Sequence, residues 1–193
     1  MDMTNESGLQ NAPSLTAEDV LRFWFEELSP ADWFRKSDEL DRRIAERFGP
    51  LLTAARAGEL SHWRNEPRGR LAEVIVLDQF SRNIFRDQAE SFAADNLALA
   101  LAQEAVRAGA DKELGDEEKS FLYMPYMHSE SAVVHEEAVR LFSQPGLENN
   151  LDFEHRHLAI IKRFGRYPHR NAILGRESTP EELAFLKEPG SGF

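Results

Sequence analysis

The sequence contains no cysteine among its 193 residues, which excludes disulfides and thiolate metal sites and removes any need for an oxidising compartment. It also lacks an apolar run near the roughly 20 residues that a membrane helix requires. The first residues, MDMTNESGLQNAPS, have neither the basic nor the apolar segment of a signal peptide. These absences predict a cytoplasmic protein without membrane contact, in which residues 1–14 are a flexible tail and residues 15–193 a single domain.

Positive charge is also scarce, with 23 Lys and Arg against 34 Asp and Glu and a formal net charge of -11. Nucleic-acid binding depends on a basic face that neutralises phosphates, so this balance argues against it. One segment departs from the general trend. Between Arg156 and Arg176 there are six Lys and Arg, two His and no Asp or Glu. This segment could bind a small anion or an acidic peptide, or it could neutralise acids elsewhere in the fold.

Helical signals run along the whole chain after the tail. Thr16 and Ser37 are placed to cap the first two helices, and Thr179 to cap the last. Asp95 is expected to cap a fourth helix and Asp116 to open a fifth. Further helices are predicted over residues 130–142 and 151–164, and a loop over residues 58–70. Because no strand pattern of period two appears, the sequence predicts an all-α fold of antiparallel helix pairs.

The third helix, RLAEVIVLDQFSRNIFRD, is the most informative. It is apolar nearly all round over residues 71–77, which indicates a buried central helix. One stripe begins apolar and then turns charged at Asp78, Arg82 and Arg86. Asp78 and Arg82 are four residues apart and can pair on one helix face. Charges on a buried face predict either a ligand groove or a network of structural salt bridges.

A second polar cluster follows Gly165, which is expected to end the seventh helix. Pro168 forces the preceding residue into an extended conformation, which crowds the next side chains into a tight turn. The polar residues of this turn are Arg166, His169, Arg170 and Asn171. Arginine suits carboxylate or phosphate because its planar fork binds them in a bidentate way. With the arginines of the third helix, these residues could line an anion pocket, or they could tie the turn to acids of the fold.

The histidines suggest fewer sites. His128 and Glu130 lie close together in MHSES, but the spacing H-x-E is no recognised metal motif. His157 shares a stripe with apolar residues of the seventh helix and is expected to be a hydrogen-bonded core residue. The chain has no P-loop, GxGxxG, HExxH or GxSxG motif. We therefore predict no metal and no cofactor.

Three segments carry a resemblance to a known family: LDQFSRNIFR, FLYMPYMHSES and RFGRYPHRNAILGRESTPEELAFL. Together they resemble the bacterial domain-of-unknown-function family 924, over nearly the whole chain after the tail. The resemblance implies antiparallel helix pairs that form a short right-handed superhelix of the tetratricopeptide-like class. It implies no known reaction and no known substrate.

The resemblance also implies where a site would lie. The characteristic polar positions of the family fall on Asp78, Gln79, Arg82, Asn83, Arg86, His128, Glu130, Arg163, Arg166, His169, Arg170 and Asn171. Two positions depart from the family's pattern, since Ser81 stands where proline is usual and His135 where glutamine is expected. The first departure loosens a turn or a helix kink, and the second leaves the role of that side chain open.

Three functions are compatible with these patterns. The first is a binding module in which the arginines of both clusters grip a carboxylate or phosphate of a small molecule or an acidic peptide. The second is an enzyme in which His128 or His169 acts as general acid or base, oriented by Asp78 or Glu130. The third is a scaffold for protein partners without a pocket. We favour binding over catalysis, and the oligomeric state stays open.

Overall fold

The computed structural model describes residues 14–193, so nearly all of the predicted tail lies outside the described residues. The first helix, α1 (Ala17–Arg22), begins where the sequence predicts. The Thr16 hydroxyl accepts a hydrogen bond from the Asp19 amide at 3.2 Å, and the Asp19 carboxylate accepts one from the Thr16 amide at 2.8 Å. This reciprocal cap satisfies two amide groups at the start of the helix, which has no earlier turn to accept them.

The remaining helices of residues 14–193 are α2 (Pro30–Trp33), α3 (Asp38–Arg56), α4 (Pro67–Ile75), α5 (Ser81–Ile84), α6 (Asp95–Arg107), α7 (Asp116–Met127), α8 (Ala132–Phe142), α9 (Glu148–Phe164) and α10 (Pro180–Phe185). A π-helical turn at Phe23–Glu27 extends α1, and a second at Val76–Phe80 joins α4 to α5. Strands are absent from this range, and the predicted all-α fold is confirmed. The tetratricopeptide-like superhelix and the single-domain boundary stay predictions.

Helix α4 and the π-helical turn after it form the centre of the fold, as the apolar run predicts. Every residue from 71 to 80 is buried, including those of the β-branched stretch VIV. Helix α4 packs against α1, α6 and α7, while α3 packs on the π-helical turn and on α5. Because Asp78 belongs to this turn, the central helix carries a carboxylate into the interior.

The main core is aromatic where α1, α3 and α7 meet this centre. The Phe48 ring lies 5.0 Å from that of Phe23 and 4.8 Å from that of Phe80, measured between centroids. Trp24 meets Phe121 edge to face at 5.5 Å. Burial of one such side chain contributes roughly 1.5–3 kcal/mol to stability, and an edge-to-face pair roughly 0.5–1.5 kcal/mol more. This aromatic packing fixes the relative positions of the helices that carry the polar residues.

The C-terminal part of the chain packs around a smaller core of Ile160, Ile161, Tyr167 and Phe185. Gly165 ends α9 with φ 71°, a left-handed conformation that glycine adopts without strain. The chain then reverses through the 3₁₀ turn Pro168–Arg170. This reversal brings the basic segment back over the end of α7.

Two predicted helix starts differ from the structure. Residues 58–70, predicted as a loop, contain the 3₁₀ turn Ser61–Asn65 and the start of α4. Proline at the first position of α4 costs no hydrogen bond and suits a helix start. The predicted start of the sixth helix at Glu130 is also wrong, because Ser131 caps α8 through a hydrogen bond from the Val134 amide.

Two further predictions of helix starts also differ from the structure. Helix α9 begins at Glu148, three residues before the predicted Leu151. Asp95 does not cap α6, since Ala94 occupies the cap position and the Asp95 carboxylate binds an arginine instead. Pro50 lies inside α3, which continues past it to Arg56.

In the part of the chain that the structure describes, no helix is both long and apolar enough to cross a membrane.

Candidate functional site

A cavity of about 420 Å³ opens beside the start of α6. Its apolar lining includes Phe92, Leu99 and Leu174. Its polar lining consists of Asp95, Asn96, His128, Ser129, Glu130 and Arg170. The volume lies within the roughly 300–1,000 Å³ of small-molecule sites, which combine apolar walls with a few polar groups. Three of the predicted site residues, His128, Glu130 and Arg170, therefore share one cavity.

His128 is held in the cavity wall by Asp78. The histidine follows the last turn of α7, and its Nδ1 lies 2.7 Å from the Asp78 Oδ1. Asp78 is 1% exposed and also accepts a hydrogen bond from the side-chain amide of Gln79 at 2.8 Å. Because a carboxylate can only accept, the Nδ1 of His128 carries the proton of this bond. Within residues 14–193 the Nε2 atom has no hydrogen-bond partner, and the His128 side chain lines the cavity.

The protonation states of this pair follow from burial and charge. Burial alone raises the pKa of Asp78, but the contact with His128, the positive charge of Arg82 and two hydrogen bonds outweigh it and hold the pKa at about 2. Burial, with the nearby Arg82, lowers the pKa of His128, although Asp78 opposes this shift. At neutral pH the carboxylate is therefore ionised and the imidazole is neutral.

Arg82 is bound within the protein through both of its terminal nitrogens. Its two terminal nitrogens donate to the two carboxylate oxygens of Asp95 at 2.8 and 3.0 Å. One of them also lies 3.2 Å from Asp78, the pair that the four-residue spacing predicts. Burial opposes the charge of Arg82, but the two carboxylates raise its pKa above the ordinary value. Arg82 therefore orders two acids of the site rather than offering its fork to a ligand.

Arg170 is the arginine that lines the cavity. Its guanidinium lies 4.5 Å from the centre of the Phe92 ring and 4.7 Å from that of Tyr167. One terminal nitrogen donates to the backbone carbonyl of His128 at 2.9 Å, and the other lies 3.7 Å from Asp95. The side chain is buried, and within residues 14–193 its Nε has no hydrogen-bond partner. Most buried N–H groups find an acceptor, so this one is a candidate contact for a ligand.

The loop of residues 128–131 is built by side chains from elsewhere in the chain. The Tyr167 hydroxyl donates to the Met127 carbonyl at 2.6 Å, and the Nε2 of His135 donates to the Ser129 carbonyl at 2.7 Å. The Nδ1 of His135 contacts Glu154 at 2.5 Å. His135, which stands where the family pattern has glutamine, thus holds one wall of the cavity in place. The other departure, Ser81, begins α5 without a break in the chain, and its hydroxyl is buried.

Glu130 lines the cavity but is already paired. Arg176 donates to both of its carboxylate oxygens at 2.9 Å, and the Tyr167 amide donates to one of them at 2.8 Å. Burial would raise the pKa of Glu130, but these bonds lower it below the ordinary value. Arg176 belongs to the basic segment, yet no local pattern distinguishes it from the other arginines there.

Other predicted site residues form two separate clusters. Asn83 and Arg86 both bind Asp41 of α3, the amide at 2.9 Å and the guanidinium through two nitrogens. Arg166 and Asn171 bind Glu182 of α10 at 2.8–3.0 Å. Neither cluster lines the cavity, and in both the polar groups serve to join helices.

Arg163 and His169 lie apart from the cavity as well. Arg163 is exposed and contacts Glu181 at 3.3 Å. His169 packs near the rings of Tyr167 and Phe193, and burial together with the charge of Arg170 lowers its pKa to about 4. His157, expected in the core, is indeed buried and bonds to the Phe153 carbonyl through Nδ1. Over residues 14–193, no three His, Asp or Glu side chains are grouped to hold a metal ion.

Comparison with known proteins identifies the family. The chain belongs to the family described as bacterial protein of unknown function (DUF924), whose model matches residues 20–190. A solved structure of a protein of unknown function from Agrobacterium tumefaciens is 38% identical, with a TM-score of 0.84. The match covers 89% of this chain and 96% of that one. No curated protein matches the sequence.

Two residues of the cavity, Asp95 and Phe92, were not predicted from the sequence as site residues. Asp95 looks like an ordinary helix cap in the sequence, and only its contact with Arg82 reveals its role. Phe92 is one of thirteen phenylalanines, and its place beside Arg170 depends on the packing of the 3₁₀ turn Ala89–Phe92. Neither has a local signal by which it could have been found.

Proposed function

We propose that this protein binds a small molecule with a carboxylate or phosphate group in the cavity beside His128 and Arg170. The observation that carries the proposal is the place of Arg170 in the cavity wall, where its guanidinium stacks on Phe92 and its Nε has no acceptor in the described residues. An anionic oxygen is the strongest acceptor for such a donor. Held by His128 and two aromatic rings, Arg170 would need little reordering on binding.

The size and lining of the cavity favour a small molecule over an acidic peptide. About 420 Å³ suits a compact ligand, and the walls at Phe92, Leu99 and Leu174 suit an apolar body attached to the charged group. The same cavity argues against a scaffold without a pocket. The ligand class that these features describe is an anion with a short hydrocarbon or aromatic portion.

Thermal unfolding tests the proposal with three six-carbon compounds: hexanoate, hexyl phosphate and the uncharged hexanamide, at matched ionic strength. A ligand at about 100 times its dissociation constant adds about 2.7 kcal/mol of stability, which for a domain of this size raises the melting temperature by about 5–10 °C. We expect a rise with at least one anion and a much smaller one with the amide. A flat response to both anions would contradict the proposal.

Two variants test whether the anion binds in this cavity. Arg170→Gln removes the guanidinium and its charge from the cavity wall and should abolish the rise. Arg163→Gln removes an exposed arginine that contacts Glu181 and the rings of Phe164 and Phe185 and does not line the cavity, so it should leave the rise intact. If both variants keep the rise, the anion binds elsewhere.

Acid–base catalysis is a second candidate, favoured by the contact between Asp78 and His128. A carboxylate that holds Nδ1–H leaves Nε2 as a base in a cavity, which is the usual arrangement of a general base and the group that orients it. Proton NMR of an anion that stabilises the protein, incubated with it for hours, tests this function. Product signals that disappear with His128→Asn would support catalysis, and an unchanged spectrum would leave binding alone.

A further inference from the structure

The charges around the cavity cancel when His128 is neutral. Three arginines, Arg82, Arg170 and Arg176, are matched by three acids of the same network, Asp78, Asp95 and Glu130. Each arginine lies within 4.0 Å of at least one of these acids. The network therefore has no spare positive charge to offset an anion that enters.

His128 is the group of this network that can change its charge near neutral pH. Asp78 faces it from the π-helical turn, Arg82 from α5, Asp95 from α6 and Arg170 from the turn after α9. Glu130 belongs to the same loop but is bound to Arg176. His157 of α9 and His169 also interact with His128, but burial lowers the pKa of both, to about 3 and about 4, so both are neutral near pH 7. The imidazole is 17% exposed, and its Nε2 has no hydrogen-bond partner in residues 14–193. A proton taken up there would place a positive charge at the cavity wall.

We infer that the cavity takes a monoanion together with one proton, which His128 accepts at Nε2, and that it therefore prefers monocarboxylates to dianions. This inference rests on the proposed function and specifies its ligand class. One extra negative charge in a buried, balanced network is costly unless a positive charge arrives with it. A dicarboxylate or a fully ionised phosphate ester brings two charges, and the single imidazole compensates one.

The sign of the pH dependence follows from the two states of His128. In the free protein, burial and Arg82 lower its pKa, so the imidazole is mostly neutral at pH 7. An anion at Nε2 favours the charged imidazole and raises this pKa. Binding then takes up a proton in the pH range between the two values. In that range the affinity falls as pH rises, by as much as about tenfold per pH unit for one proton.

Isothermal titration calorimetry with hexanoate, in two buffers of different ionisation enthalpy at pH 7, counts the protons. We expect proton uptake of up to one per hexanoate and weaker binding at pH 8 than at pH 6. Adipate, a dianion of the same chain length, should bind at least tenfold more weakly than hexanoate. Proton uptake of zero, or adipate binding as tightly as hexanoate, would overturn the inference.

His128→Asn and His155→Asn are the matched variants. The asparagine amide at position 128 can still donate to Asp78, but it has no group in place of Nε2. We expect His128→Asn to lose the proton uptake and the pH dependence, while His155→Asn, on the exposed face of α9, keeps both. Hexanoate binding without proton uptake in the wild type refutes only this inference. Absence of binding by hexanoate and hexyl phosphate alike refutes the proposed function itself.

Discussion

Two clusters in this protein use the same side-chain chemistry to different ends. Around Glu182, the two carboxylate oxygens accept hydrogen bonds from Arg166, from Asn171 and from the Thr179 amide that starts α10. Around Asp78, the charges are paired as well, but the Nε atoms of His128 and Arg170 lack protein partners in the described residues. The second cluster forms part of the wall of the cavity, which the residues of the first cluster do not line.

The difference shows how to separate a structural network from a candidate site when residue types agree. A network that only joins helices satisfies its buried polar groups, because each unsatisfied group costs roughly 1–3 kcal/mol. A donor without a partner beside a cavity is expected where a bound ligand supplies the missing acceptor. We therefore assign Arg166 and Asn171 to the closed cluster at Glu182, and His128 and Arg170 to the open cluster at Asp78.

The largest expected loss of stability follows removal of Glu182, the central carboxylate of the closed cluster. Glu182→Ala removes the carboxylate that Arg166 and Asn171 share, and it removes half of the reciprocal cap of α10. We expect a loss of about 2–3 kcal/mol in the free energy of unfolding, measured with urea. Glu181→Ala, which breaks an exposed pair with Arg163, should cost less than about 0.5 kcal/mol. Equal losses of unfolding free energy in the two variants would show that the Glu182 cluster contributes no more to stability than an exposed ion pair.

Acidification should weaken the same cluster. The hydrogen bonds from Arg166 hold the pKa of Glu182 well below its ordinary value of 4.5. The contribution of Glu182 is therefore complete above that value and is lost as pH falls toward the folded-state pKa. The stability difference between the wild type and Glu182→Ala, followed by urea unfolding, should shrink steadily below pH 5. A constant difference down to pH 3 would contradict this assignment.

An intermediate effect is expected in the open cluster. Arg170→Gln removes two contacts with aromatic rings and the donor to the His128 carbonyl. We expect a stability loss of about 1–2 kcal/mol without ligand, smaller than that of Glu182→Ala, together with the loss of anion binding. A stability loss larger than that of Glu182→Ala would indicate that Arg170 is primarily structural, which would weaken the contrast between the two clusters.

The smallest expected effect on stability is that of His128→Asn, within about 1 kcal/mol at pH 7, because the amide can keep the bond to Asp78. The pH dependence should change more clearly. Burial lowers the pKa of His128, so the folded protein binds fewer protons than the unfolded chain below about pH 6.5 and loses stability as pH falls. Between pH 7 and 5, urea unfolding should show a smaller loss for the variant. Parallel curves would show that His128 does not titrate differently on folding.

Parts of the site were predictable from local spacing. Asp78 and Arg82 are four residues apart on one helix, and they pair as that spacing predicts. The crowding of polar side chains after Pro168 also follows from the restriction that proline places on its neighbour. The partners of Asn83 and Arg86 were not predictable, because Asp41 lies 42 and 45 residues away in the chain. Nothing local distinguishes Asp41 from the other acids of α3.

The sequence by itself determined the helical class, the caps at Thr16, Ser37 and Thr179, and the burial of the central helix, because each depends on spacing and side-chain chemistry within a few residues. Only the tertiary structure decided which charged groups pair with each other and which line a cavity. The bond from His128 to Asp78 spans 50 residues, and that from Arg170 to the His128 carbonyl spans 42. Such contacts depend on how the helices pack, and helical periodicity does not encode them.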